Sequence, residues 1–161
     1  MQTITLIALG KLNAAYYKAA AADYGKRLSA FCRLQLVELA EETITEKNAS
    51  QAVIAKALEK EAAAILAAVP KGAALVALCI EGKQCTSEEL AAFFAQRAVS
   101  GSADVAFVIG SSHGLALRVK QAAVQRLSMS KMTFPHQLAR VMLLEQIYRA
   151  CSINAGTKYH K

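Results

Sequence analysis

Three stretches in the last third of the chain combine residue types suited to ligand chemistry. The first is Ile109-Gly110-Ser111-Ser112-His113-Gly114, directly after the apolar run Val105–Ile109. A glycine after a buried strand lets a ligand approach the main chain at the carboxyl edge of a sheet. The second is Leu127-Ser128-Met129-Ser130-Lys131-Met132-Thr133-Phe134-Pro135-His136. Met129, Met132 and Phe134 are costly in a loop unless they cover something, and main-chain groups between them suit the edge of an adenine. The third is the ending Tyr159-His160-Lys161, a stacking ring, a titratable imidazole and a cation. An RNA base and its phosphate call for those groups. Each stretch also has a plainer reading: an ordinary turn, a loop packed on the core, and a frayed terminus.

Charge is concentrated in the same region. Residues 105–161 hold eight Lys or Arg and one acid, Glu145, whereas residues 1–104 hold eleven of each sign, so the formal charge of +7 belongs to the last third. Such a balance favours an anionic partner, nucleic acid before membrane. No apolar run reaches the roughly 20 residues that span a bilayer. Met1–Gly10 reads as a first strand and not as a signal peptide, so a cytoplasmic protein is expected. The four cysteines form no C-x-x-C pair and no zinc-type spacing, so they read as free thiols and no metal is expected. The glycine-rich dinucleotide fingerprint is missing after both candidate strands, which argues against a nicotinamide enzyme.

The elements that must position these stretches alternate strand and helix. Strands are expected at Thr3–Leu9, Phe31–Leu39 (exposed on one side), Ala73–Ile80, Val105–Ile109 and near Arg126–Met129. A polar loop, expected to be mobile, spans 41–50. A helix capped by Asn13 should run to about Ser29, and another over 51–69 should be closed by Pro70. Thr86 or Ser87 should cap a third helix, with Glu88 and Glu89 in its first turn. A short helix follows Gly114, and the last runs over about Gln137–Cys151. The order is that of an α/β fold with a largely parallel sheet, as one domain over 1–161. The last helix is apolar nearly all round, so it is expected to pack on a partner subunit unless it is central to one monomer. Glu145 and Arg149 would pair within it.

The pieces F-V-I-G-x-x-x-G, S-x-S-K-M-T-F-P-H-Q, R-V-x-L-x-E-Q-x-Y-R-A and the terminal Y-H-K occur here in order. Together with the opening I-x-L-I-A-L-G-K-L and Y-x-K-R-L, they resemble the ribosomal RNA large subunit methyltransferase H family over essentially the full chain. The resemblance implies a SPOUT-type α/β fold with a C-terminal trefoil knot, a knot and cofactor region at about 105–161, and a homodimer. It implies S-adenosylmethionine as cofactor and N3-methylation of a pseudouridine in 23S ribosomal RNA, on the bacterial ribosome. By similarity the cofactor contacts fall on Leu78, Gly110, Met129, Ser130, Lys131, Met132, Thr133 and Phe134. The terminal motif falls on Tyr159, His160 and Lys161. His160, from a tail folding over the site, is expected to accept or relay the proton of the acceptor imide. Tyr159 would stack on or hydrogen-bond the base, and Arg140 or Lys131 would stabilise developing charge. His136 is read as a helix-start residue outside catalysis. Three positions depart from the family pattern: Ser111 in place of a second glycine, Lys161 in place of arginine, and Cys79 in place of an acid. Serine at position 111 would be strained if that site required positive φ. The alternative reading is a non-catalytic RNA- or ribosome-binding module with a degenerate pocket.

Overall fold

The computed structural model describes residues 1–161 except Glu46 and Asn48. Strands and helices alternate strictly: β1 (Thr3–Leu9), α1 (Ala15–Leu28), β2 (Arg33–Leu39), α2 (Gln51–Ala68), β3 (Ala74–Lys83), α3 (Ser87–Val99), β4 (Val105–Ile109), α4 (Leu117–Ala122), β5 (Gln125–Leu127) and α5 (His136–Asn154). The strands form one sheet in the order β2-β1-β4-β3-β5, and every pairing is parallel. This is the expected α/β architecture.

The buried centre of the sheet explains its sequence. All five residues of β4 are buried, between β1 and β3. Alternate side chains of a strand point to opposite faces. Val105, Phe107 and Ile109 join one core with Leu28 of α1, Phe94 of α3 and Leu143, Leu144 and Ile147 of α5. Ala106 and Val108 join the other, with Ala62 and Ile65 of α2 and Val119 of α4. Helices α1, α3 and α5 therefore cover one face and α2 and α4 the other. Strand β2 is an edge, and its residue Leu36 is 51% exposed.

Several boundaries differ from the sequence expectation for local reasons. Asn13 does not cap α1; Ala14 holds that position, and the Asn13 N–H donates to Gln137 Oε1 at 2.9 Å. No side-chain cap hydrogen bond closes this end of α1; the Asn13 amide is instead held by a tertiary contact to α5. Ser50 caps α2 by accepting from the Val53 N–H, and Thr86 with Glu89 forms the capping box of α3. Strand β3 does not stop at Ile80. It continues through Gly82 to Lys83 across a register shift against β5, where Leu127 pairs with both Leu78 and Lys83. A Cβ at Gly82 would lie 2.8 Å from the Arg126 main chain, so glycine permits this close approach. The loop expected over 41–50 contains no strand or α-helix at its described positions; the part of that expectation at Glu46 and Asn48 lies outside the described residues.

Helix α5 is central within one chain, between α1 and α3. That accounts for the burial of Leu143, Leu144, Ile147 and Ala150. Glu145 and Arg149 pair as expected, at 2.7 Å.

Candidate active site

A cleft of about 690 Å³ opens at the carboxyl ends of β3, β4 and β5. Parallel α/β sheets place ligands at this edge, because the strand ends and helix starts meet there. Three segments build it: Leu78–Glu81 of β3, the turn Gly110–Leu115 after β4, and the loop between β5 and α5. Its size lies within the range of small-molecule sites, which are commonly about 300–1,000 Å³.

Close packing of the turn requires glycine at position 110. A Cβ there would lie 2.5 Å from the Gly114 carbonyl oxygen and 2.7 Å from its carbon. The Gly114 N–H donates to the Ser111 carbonyl at 2.9 Å, and Gly114 itself has φ of 87°. Ser111 is not strained, since among the described residues only glycines have positive φ. Its hydroxyl donates to Glu61 Oε1 at 2.9 Å, while Glu61 Oε2 accepts the Glu42 N–H at 2.9 Å. Glu61 is only 5% exposed, and among the described residues no cation pairs with it. Those two hydrogen bonds are what compensate its burial. Serine at this position therefore ties the turn to α2.

Serines also shape the second loop. The Ser128 hydroxyl donates to the Ser130 carbonyl at 2.9 Å, and the Ser130 hydroxyl accepts the Met132 N–H at 3.0 Å. The Ser128 N–H donates to the Lys83 carbonyl at 3.1 Å, which joins the loop to the extended end of β3. Met132 is 72% exposed and lines the cleft, so it does not serve the core.

Leu78, Gly110, Met129, Ser130, Met132, Thr133 and Phe134 all line this one cleft. Lys131 does not; it is exposed beside it. His113 and His136, from the two quoted stretches, and Cys79, where the family pattern has an acid, also line it, as do Glu81 and Lys120, to which sequence reading gave no role. Glu81 and Lys120 form an ion pair on the cleft wall. Burial is the main cause that pushes the Cys79 thiol up from its ordinary pKa, so it stays neutral. Lys120 and Glu81 belong to different elements, so neither lies in a recognisable motif; only the tertiary fold brings them together.

The expected catalytic residues are placed elsewhere. Arg140 is 5% exposed: one terminal nitrogen donates to Glu38 Oε2 at 2.6 Å and the other to the Gly10 carbonyl at 3.0 Å. It ties the first turns of α5 to the ends of β1 and β2 and is not part of the cleft wall. The tail does not fold over the cleft of its own chain either. Tyr159 donates its hydroxyl to Glu145 Oε1 at 3.0 Å and packs edge-on to Tyr148 with ring centroids 4.7 Å apart. His160 Nε2 lies 2.8 Å from Glu88 at the start of α3, and the Arg149 guanidinium sits over the Tyr159 ring at 4.7 Å. Burial, then the Glu145 hydrogen bond, pushes the Tyr159 hydroxyl up to about 12. The Glu88 carboxyl is lowered from its ordinary range by its own main-chain amide first and His160 second. Aromatic packing and these polar contacts hold the tail along α3 and α5.

A family model described as "Predicted SPOUT methyltransferase" matches residues 1–160. The chain is 49% identical to the ribosomal RNA large subunit methyltransferase H of Clostridium novyi, over 98% of this chain and 99% of that one. It is also 49% identical to the protein of the same name from Bifidobacterium animalis subsp. lactis, with the same coverage. Among solved structures, the SpoU methyltransferase AviRb from Streptomyces viridochromogenes, in complex with AdoMet, aligns over 97% of this chain and 61% of its own. Its identity is 10% and its TM-score 0.43, a likeness too slight to bear on function. A full-length match at nearly half identity, with Gly110 and the Met129–Phe134 loop meeting at one cleft, makes this chain a member of the SPOUT methyltransferase family.

Proposed function

We propose that this protein uses S-adenosylmethionine to methylate N3 of a pseudouridine in 23S ribosomal RNA, in the bacterial cytoplasm and on the assembled ribosome. Identity of 49% over nearly the full length to proteins named ribosomal RNA large subunit methyltransferase H supports the substrate class. The observation that carries the reading is that the tightly packed Gly110–Leu115 turn, which leaves no room for a Cβ at Gly110, and the apolar residues of the 129–134 loop line one cleft. A flat base fits between such a main-chain wall and side chains such as Met129, Met132 and Phe134. The residues present therefore fit the cofactor: Leu78, Gly110 and the loop would hold it, with Lys131 at the cleft's outer side.

S-adenosylmethionine supplies, when bound, a methyl group already activated by its sulfonium, so the protein's work is positioning and electrostatics. The acceptor is an imide nitrogen, which becomes nucleophilic as its proton leaves. His160 accepts or relays that proton. Tyr159 orients the base, and Lys131, Lys161 and neighbouring cations hold phosphates. Arg140 acts indirectly, by fixing the start of α5, because its guanidinium is committed to Glu38 and Gly10.

A homodimer belongs to this reading. Tyr159 and His160 lie along α3 and α5 and outside the cleft of their own chain. Val141, Met142 and Tyr148 leave α5 with a half-buried flank that a second copy can cover. The tail of one protomer would then complete the cleft of the other. A family-type knot over about 105–161 would enclose the same cofactor region.

Calorimetric titration with S-adenosylmethionine, with NADH as control, tests the cofactor assignment. Mass spectrometry of 23S RNA from ribosomes treated with the protein tests the product. Binding without methylation of any ribosomal substrate would favour the non-catalytic RNA-binding reading. No binding would overturn the cofactor assignment.

A further inference from the structure

We propose that Glu81 and Lys120 form the receptor for the zwitterionic amino-acid end of the cofactor. This deepens the proposed function and rests on it. Among the residues that line the cleft, Glu81 is the one carboxylate and Lys120 the one ammonium. The two are ion-paired to each other across the join between β3 and α4. The lysine side chain is 20% exposed and the glutamate 54%. Arg126 Nε donates to the Lys120 carbonyl at 3.2 Å, which steadies the last turn of this short helix. The other titratable lining groups are His113, His136 and the thiol of Cys79.

S-adenosylmethionine has three recognition problems: a flat base, a sulfonium, and an amino acid that carries one positive and one negative charge. The Gly110 turn and the 129–134 loop answer the first. The third needs a carboxylate for the ammonium and a cation for the carboxylate, close together and neutral in sum. A protein ion pair meets that requirement by exchanging partners. Lys120 turns to the ligand carboxylate and Glu81 to the ligand ammonium, so two charge-assisted hydrogen bonds replace one pair and no net charge is buried. Opening the pair costs little, because the glutamate side chain is half exposed and water screens its charge. Its position on the cleft wall, with both side chains partly open to solvent, leaves it free to rearrange.

Ligands that lack one charge at a time provide the test. Calorimetry on the full-length protein compares S-adenosylmethionine, its decarboxylated form and 5′-methylthioadenosine, which lacks the amino-acid end. Lys120→Met is expected to weaken S-adenosylmethionine by about tenfold, the loss of one hydrogen bond to a charged group, and to leave the decarboxylated form unchanged. Glu81→Gln should weaken both ammonium-bearing ligands. Neither change should affect 5′-methylthioadenosine. Lys120→Gln is a milder second variant, and thermal denaturation checks that each variant is folded. Equal losses for all three ligands, or no loss for any, overturn the inference while the methyltransferase reading stands. If the unmodified protein binds none of the three, the underlying reading fails and this inference with it.

Discussion

Replacing Gly110 by alanine is the sharpest perturbation the cleft offers, because one methyl group meets main chain on the opposite side of the turn. The added Cβ would lie 2.5 Å from the Gly114 oxygen, 2.7 Å from its carbon and 3.0 Å from Leu115 Cδ2. Favourable heavy-atom contacts lie at about 3.5–4.0 Å, so the two sides of the turn must separate by roughly 1 Å. Side-chain adjustment of Leu115 cannot relieve this, since the two nearest opposing atoms belong to Gly114 backbone held by the Ser111–Gly114 bridge. Gly110 is not at positive φ, so the effect is steric and not conformational. Overpacking of this kind costs about 1–3 kcal/mol. For a chain of this size that lowers Tm by roughly 2–4 °C per kcal/mol. A displaced cradle should also reduce S-adenosylmethionine affinity by at least about tenfold, the equivalent of about 1.4 kcal/mol. Thermal denaturation with and without cofactor reads both quantities: a lower Tm in the free protein and a smaller ligand-induced rise. A Gly110→Ala protein with unchanged Tm and unchanged affinity would refute the reasoning about the cradle. Gly114→Ala is the contrasting control. It meets nothing within 4 Å but sits at φ of 87°, so it should cost about 1–2 kcal/mol of backbone strain without a clash.

Ser111→Gly removes the hydroxyl bonded to buried Glu61 and should cost about 1–3 kcal/mol in chemical denaturation, since the carboxylate keeps only one partner; no loss would show that the tie to α2 is unimportant. Arg140→Ala should destabilise by about 2 kcal/mol, below the 3–5 of a fully buried pair because Glu38 is 38% exposed. Lysine should rescue it poorly, having one nitrogen where Arg140 uses two. His160→Ala should collapse methylation of ribosomal RNA while leaving cofactor affinity near normal, and undiminished turnover would exclude it as proton acceptor. The raised pKa of Tyr159 favours the neutral phenol in the folded state. Its contribution is complete below the ordinary value of 10.0 and is lost as pH rises through about 12. Ultraviolet titration of tyrosinate should show this alkaline transition, coupled to release of the tail, and Tyr159→Phe should abolish it.

Element order was readable because local pattern and tertiary environment agree. The run Val105–Ile109 is apolar throughout, and it is the strand buried on both faces. Thr86 with Glu89 carries its capping box in the sequence and forms it. The misreadings occurred where a distant partner changed a local preference. Asn13 looks like a cap, yet Ala14 holds that position with no side-chain cap, and the Asn13 amide bonds to Gln137, 124 residues away. The apolar run stops at Ile80, yet pairing with β5 carries β3 on to Lys83.

The sequence by itself determined that strands and helices alternate, that positive charge collects in the last third, and that Gly110 and the 129–134 loop are candidates for ligand chemistry. These are properties of neighbouring residues, of period and of composition, and need no knowledge of what packs where. The tertiary structure alone decided that Glu81 and Lys120 share the cleft wall, that Glu61 lies behind Ser111, that Arg140 is spent on Glu38 and Gly10, and that the tail rests along α5. Apart from the tail's, those pairings join residues 39 to 130 positions apart. Parallel strand order sets such distances, because each crossover returns the chain to the same edge of the sheet, and no local pattern records which return lands beside which.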